Sequence, residues 1–140
     1  MQLRVRKTAH LFERSGLALA GAACGLFVGA YVGSSINALT TQGFLLAMML
    51  AGAAGFYLGI DTPPLPFSED SADPGDTRID AAEFLSAVGT LLATLTAFVS
   101  VGVIVLREEP HMFWTWLVLF GWVGGVAMQI LAGAKARMRK

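Results

Sequence analysis

The run GAACGLFVGAYVG, Gly21 to Gly33, sets glycine at every fourth position, Gly21, Gly25, Gly29 and Gly33, inside an otherwise apolar stretch. A helix brings residues four apart onto one face, so this run presents a strip of bare backbone along one side. In a water-exposed helix each such glycine costs roughly 1 kcal/mol against alanine. In lipid the same strip lets a second helix approach closely, and close packing is what drives helices together there. The run therefore predicts an all-α integral membrane protein whose helices meet through small-residue, GxxxG-like faces.

Composition points the same way. Of 140 residues, 55% are hydrophobic and 14% charged, against about 25% charged in soluble domains, and the mean hydropathy is +0.63. A spanning helix needs roughly 20 mostly apolar residues, so four spans would occupy more than half the chain. One compact membrane unit is expected, with no second fold. The formal net charge of zero hides a segregated pattern: Arg4, Arg6, Lys7 and Arg14 precede the first apolar run, and Lys135, Arg137, Arg139 and Lys140 follow the last. Basic flanks face the cytoplasm, which predicts both termini inside and an even number of crossings. The small size and the acidic central loop suit a bacterial inner membrane.

Residues 1–14 form the basic cytoplasmic flank. Leu3, Val5, Leu11 and Phe12 among its charges would also suit an interfacial helix, attracted to anionic lipid by about 1 kcal/mol per basic side chain; the plainer reading is a positive-inside flank. Residues 15–60 form a first transmembrane hairpin. Its spans run from Ser15 to Ser35 and from Gly43 to Ile60, joined by a polar external turn containing Asn37, Thr40 and Thr41. The second span repeats the spacing with Ala47, Ala51, Gly55 and Gly59, while Leu46, Met48, Met49 and Leu50 fall on other faces and suit lipid or loose packing. Residues 61–80 are an acidic, proline-rich cytoplasmic loop, read as a solvated linker that a basic partner would be able to dock on.

Residues 81–134 form the second hairpin. Asp80 and Glu83 have capping-box spacing at its start. In the third span, Ala81 to Leu106, Ser86, Thr90 and Thr94 stack beside Gly89, Ala93 and Ala97, a face expected to point into the bundle. Arg107-Glu108-Glu109-Pro110 is the external turn. The fourth span, His111 to Ala134, carries Gly121, Gly125, Gln129 and Gly133 four apart. Trp114, Trp116 and Trp122 in its first half are expected to anchor at the outer interface. Residues 135–140 are a basic cytoplasmic tail.

Little chemistry is on offer. No charged residue lies in a span away from its ends, which argues against a charge-coupled pump. Cys24 is the only cysteine and excludes an internal disulfide. Leu19 to Cys24 loosely resembles a lipid-attachment box, but Gly21 replaces its usual larger aliphatic residue. The apolar run also continues far past the cysteine, so a retained span is expected. His10 and His111 fall on opposite membrane faces, so no metal site and no cofactor are expected. The carboxylates of residues 61–80 lack the spacing of a calcium loop. Phosphate-binding glycine loops, a nucleophile with its base and oxyanion site, and a basic surface for nucleic acid are all missing. Gln129 is the one strongly polar group deep in a span. An interhelical hydrogen bond is its expected role, ahead of pore lining or cargo contact, so Gln129→Leu should alter assembly more than flux.

The expectation is a non-catalytic, multi-pass protein serving as a structural or accessory subunit of a larger membrane complex. Its partners would be lipids and other transmembrane subunits, or copies of itself. A homo-oligomeric, holin-like pore is the first alternative. A carrier or chaperone for a lipid or other apolar molecule is the second.

Overall fold

The computed structural model of the chain describes residues 2–59 and 81–138, with side chains from residue 12 onward. The acidic loop read at 61–80, the side chains of the basic flank through residue 11 and the last two residues of the basic tail lie outside the described residues. The regular structure is helical throughout: α1 (Gln2–Ser35), a short 3-10 turn (Asn37–Leu39), α2 (Gln42–Gly59), α3 (Ala81–Leu106) and α4 (Met112–Met138). Among the described residues, four stretches are long and apolar enough to cross a membrane: Phe12–Ser35, Gln42–Gly59, Ala81–Leu106 and Met112–Met138.

α1 does not start afresh at Ser15. It is one helix of 34 residues, which at 1.5 Å per residue gives about 51 Å, well beyond a hydrocarbon core of about 30 Å. No proline or glycine falls between Gln2 and Ser15, so nothing in the backbone interrupts it. The basic flank thus continues the first span as helix. α4 begins one residue after His111, whose Nδ1 accepts the Phe113 N–H at 3.2 Å.

Each turn is closed by local hydrogen bonds. Thr41 caps α2, its Oγ1 accepting the Phe44 N–H at 3.2 Å, while the Thr40 hydroxyl donates to the Gly33 carbonyl at 2.6 Å. α3 ends with Arg107 in the left-handed region, φ 54°. The Arg107 N–H reaches the Ile104 carbonyl at 3.3 Å and the Glu108 N–H reaches that of Val103 at 3.2 Å. This is the double bond pattern of a Schellman end.

α1 packs along α2 and α3 along α4, and the two hairpins join through α2 against α4 and α1 against α3. The helices therefore run α1–α2–α4–α3 around the bundle. Both hairpin turns lie at one end. At the other, Ser86 near the start of α3 bonds Gly59 at the end of α2, and Arg14 sits 5.4 Å from the centroid of the Tyr57 ring. The core gathers Val28, Tyr31 and Val32 with Met48, Phe56, Ala93, Val118, Trp122 and Val126. Outside it, Leu50, Leu91, Phe98, Leu117, Phe120 and Leu131 are exposed, the apolar exterior that a lipid-facing surface requires.

Candidate helix-contact site

The closest approach is between α1 and α2. A Cβ added to Gly21 would lie 2.2 Å from the Gly52 carbonyl oxygen, and one on Gly52 would lie 2.1 Å from that of Gly21. On Gly25 it would lie 2.1 Å from the Met48 carbonyl oxygen. In each case the glycine Cα–H points at a carbonyl of the facing helix, a weak hydrogen bond that recurs at helix interfaces. Contact loosens along the same column: a Cβ on Gly29 would first meet the Leu45 side chain at 3.2 Å, and on Gly33 the Leu39 carbonyl at 3.3 Å. Gly89 and Gly125 repeat the reciprocal arrangement between α3 and α4, at 2.6 and 2.8 Å from each other's carbonyl oxygen. Between α2 and α4, a Cβ on Gly133 would lie 2.3 Å from the Leu58 carbonyl oxygen, and one on Gly59 or Gly55 would lie 2.6 or 2.8 Å from the Gln129 side chain. A Cβ on Gly121 would meet only side chains, the Thr96 methyl at 3.0 Å and the Leu92 Cδ1 at 3.9 Å.

The buried rows do not run strictly by fours. On α2 the row is Met48, Gly52, Gly55 and Gly59; on α3 it is Ala82, Ser86, Gly89, Ala93, Thr96 and Ser100. On α4 it is Thr115, Val118, Trp122, Gly125, Gln129 and Ala132. On α1 Gly21, Gly25, Val28 and Val32 are buried at the same intervals. Steps of four and three alternate in every helix. A step of four overshoots a full turn by about 40°, so a column of fours drifts off the contact line. Alternating steps average 3.5 residues and keep one seam toward a neighbour.

This drift displaces three expected residues. Ala47 is exposed and Ala51 only half-buried, and Met48, read as lipid-facing, occupies the seam instead, at 6% exposure. Thr94 is exposed rather than pointing into the bundle, and its hydroxyl bonds its own helix at the Thr90 and Leu91 carbonyls, 2.8 and 3.0 Å away. Trp122 is not an interfacial anchor. It is 1% exposed and packs over Gly52, whereas Trp114 and Trp116 are exposed at 53% and 42%. Aromatic identity marks interface depth only for residues off the buried seam, and Trp122 lies on it.

Gln129 is fully buried, and its surroundings fix its orientation. The Thr90 hydroxyl donates to the Ser86 carbonyl at 2.7 Å, so its oxygen can only accept from the Gln129 amide Nε2, 2.9 Å away. The Ser86 hydroxyl in turn donates to the Gly59 carbonyl. Three helices, α4, α3 and α2, are thereby linked. Among the described residues the buried Gln129 Oε1 and Trp122 Nε1 have no hydrogen-bond partner; Oε1 is aimed at the Gly55 backbone. Ser86, Thr90, Gly55, Gly59 and Gln129 thus come together at one level, while Gly21 and Gly25 meet α2 elsewhere along its length.

Sequence reasoning set Gly52 only beside the small-residue stripe of the second span, and missed Met48 and the buried Tyr31–Thr115 hydrogen bond of 3.2 Å. A search for seven-residue repeats would have found part of this, because Thr115, Trp122 and Gln129 are seven apart.

No protein-family model matches the chain, and no curated protein or solved structure matches it. The architecture itself, four helices long and apolar enough to span, is that of a multi-pass α-helical membrane protein.

Proposed function

We propose that this chain is a non-catalytic subunit of a larger membrane assembly and works through helix contacts. The small-residue faces named above hold its own bundle together. The observation that carries the proposal is a set of glycines with nothing to pack on. Among the described residues, a Cβ on Gly16, Gly102 or Gly124 would find no atom within 4 Å outside its own helix. Each weakens its helix by roughly 1 kcal/mol relative to alanine with no internal contact in return. Gly102 and Gly124 sit within spans, where small residues serve close helix approach, and a neighbouring subunit is what would fill the space.

Both termini and residues 61–80 face the cytoplasm in this reading, and the membrane is a bacterial inner one. Of the third-span hydroxyls that a pore would need for its lining, Ser86 and Thr90 are taken up in the link to Gly59 and Gln129 and Thr94 bonds the carbonyls of its own helix, which favours the subunit reading over a channel. Affinity purification from native membranes in mild detergent tests it. A membrane protein should be recovered at fixed stoichiometry, and Gly102→Leu with Gly124→Leu should release it. A chain that purifies alone, and conducts ions in a planar bilayer, would point to the pore instead.

A further inference from the structure

At the end closed by the two turns, a cleft of about 570 Å³ opens between the end of α1 and the α3–α4 turn. Tyr31 and Thr115, buried and hydrogen-bonded to each other at 3.2 Å, line its depth. Along the α1 side, Ser34 and Ser35 both donate to the Tyr31 carbonyl, at 2.8 and 3.0 Å. With those protons committed, their oxygens offer the cleft lone pairs only. Across from them stand Arg107, Glu108 and Glu109. Among the described residues none pairs with these three side chains. The guanidinium has donors and no acceptor, and the carboxylates have acceptors and no donor. The cleft therefore sets one cationic fork against a group of acceptors.

We infer that this cleft binds a phosphate–ammonium zwitterion, the phosphoethanolamine headgroup of a membrane phospholipid. Arg107 takes the phosphate, with the planar fork that suits it. Glu108, Glu109, Ser34 and Ser35 take the primary ammonium, whose three N–H groups match acceptors. Depth supports a lipid as the source. Trp114 and Trp116, exposed in the first turns of α4, are residues that settle at headgroup level, and Ile104 and Met112 give the cleft an apolar flank toward the bilayer. The volume lies within the range of small-molecule sites. An anionic headgroup without an ammonium meets two carboxylates here, and a choline group has no N–H to donate.

Native mass spectrometry of the full chain in mild detergent, titrated in turn with phosphatidylethanolamine, phosphatidylglycerol and phosphatidylcholine, tests the assignment. Phosphatidylethanolamine should bind about tenfold tighter than the other two, and Arg107→Gly should weaken it about tenfold, the loss of one charge-assisted contact. Glycine suits the left-handed backbone at residue 107, so that variant keeps its fold, and an unchanged helical circular dichroism spectrum checks this. Glu108→Gln with Glu109→Gln should narrow the preference over phosphatidylglycerol. Competition by free phosphoethanolamine would support the same chemistry from a soluble source, and its failure to compete would support the lipid. Phosphatidylglycerol binding as tightly as phosphatidylethanolamine, or unchanged binding by Arg107→Gly, would overturn the inference.

Discussion

Gly25 and Gly29 look alike in the sequence, one turn apart in one apolar run, yet they face different obstacles. A Cβ added to Gly25 would lie 2.1 Å from the Met48 backbone carbonyl oxygen, and one added to Gly29 3.2 and 3.3 Å from the Leu45 and Met48 side chains. Backbone cannot step aside without moving a helix, whereas side chains can change rotamer. Gly25→Ala should therefore destabilise the protein by about 1–3 kcal/mol, and Gly29→Ala by clearly less. Reversible unfolding in mixed micelles titrated with dodecyl sulfate measures both, and equal costs would contradict the geometry. Gln129 permits a second comparison. Gln129→Met deletes one interhelical hydrogen bond, worth on the order of 0.6 kcal/mol in membranes, and also removes a buried acceptor that lacks a partner. Thr90 keeps its bond to the Ser86 carbonyl, so no donor is orphaned. Stability should stay within about 1 kcal/mol of wild type, whereas Gln129→Glu, which places a charge where exposure is 0%, should cost about 3 kcal/mol or more. The same unfolding assay separates the two, and a tolerated glutamate would show that the site is wetter than its burial implies.

At the level of the helix, much was legible and the register was not. Apolar length alone located four spans, and turn-forming residues located both hairpin ends, because the cost of exposing backbone in lipid leaves few alternatives. Of the residues read at steps of four, Gly21, Gly25, Gly55, Gly59, Gly125, Gln129 and Gly133 are buried. The spacing failed at Ala47 and Thr94, where accumulated drift carried the column off the seam. Met48 shows a different limit: a bulky residue enters a glycine-lined contact only where the facing helix is bare, and that depends on where two helices cross. Trp122 is the same case, a large side chain lodged against Gly52. The continuity of α1 through Ser15 was hidden because charge marks a membrane boundary, not a helix boundary. The end of α3 carries its own prediction. Arg107 holds a left-handed backbone that costs an L-residue about 1 kcal/mol or more. Arg107→Gly should raise the unfolding free energy by about that amount, and a loss of stability would mean that the arginine side chain contributes more than its backbone costs.

For the molecule as a whole, two populations of glycine are separable by what surrounds them. Those on the seam lie where an added Cβ would meet a neighbouring helix, and their replacement should damage folding first and association second. A Cβ on Gly102 or Gly124 would meet nothing within 4 Å outside its own helix among the described residues, so Gly102→Leu with Gly124→Leu should leave folding intact, or improve it slightly through helix propensity, while blocking close approach from outside. Accessory subunits and self-assembling pores both require such an outer contact; a solitary carrier does not. The most direct measurement is the native mass of the protein extracted from its own membranes in mild detergent, wild type beside this double variant. The wild type is predicted to travel in a complex heavier than one chain, and the variant to appear as a folded single chain. Equal masses for the two, whether both assembled or both solitary, would contradict the claim that these bare positions exist to meet another helix.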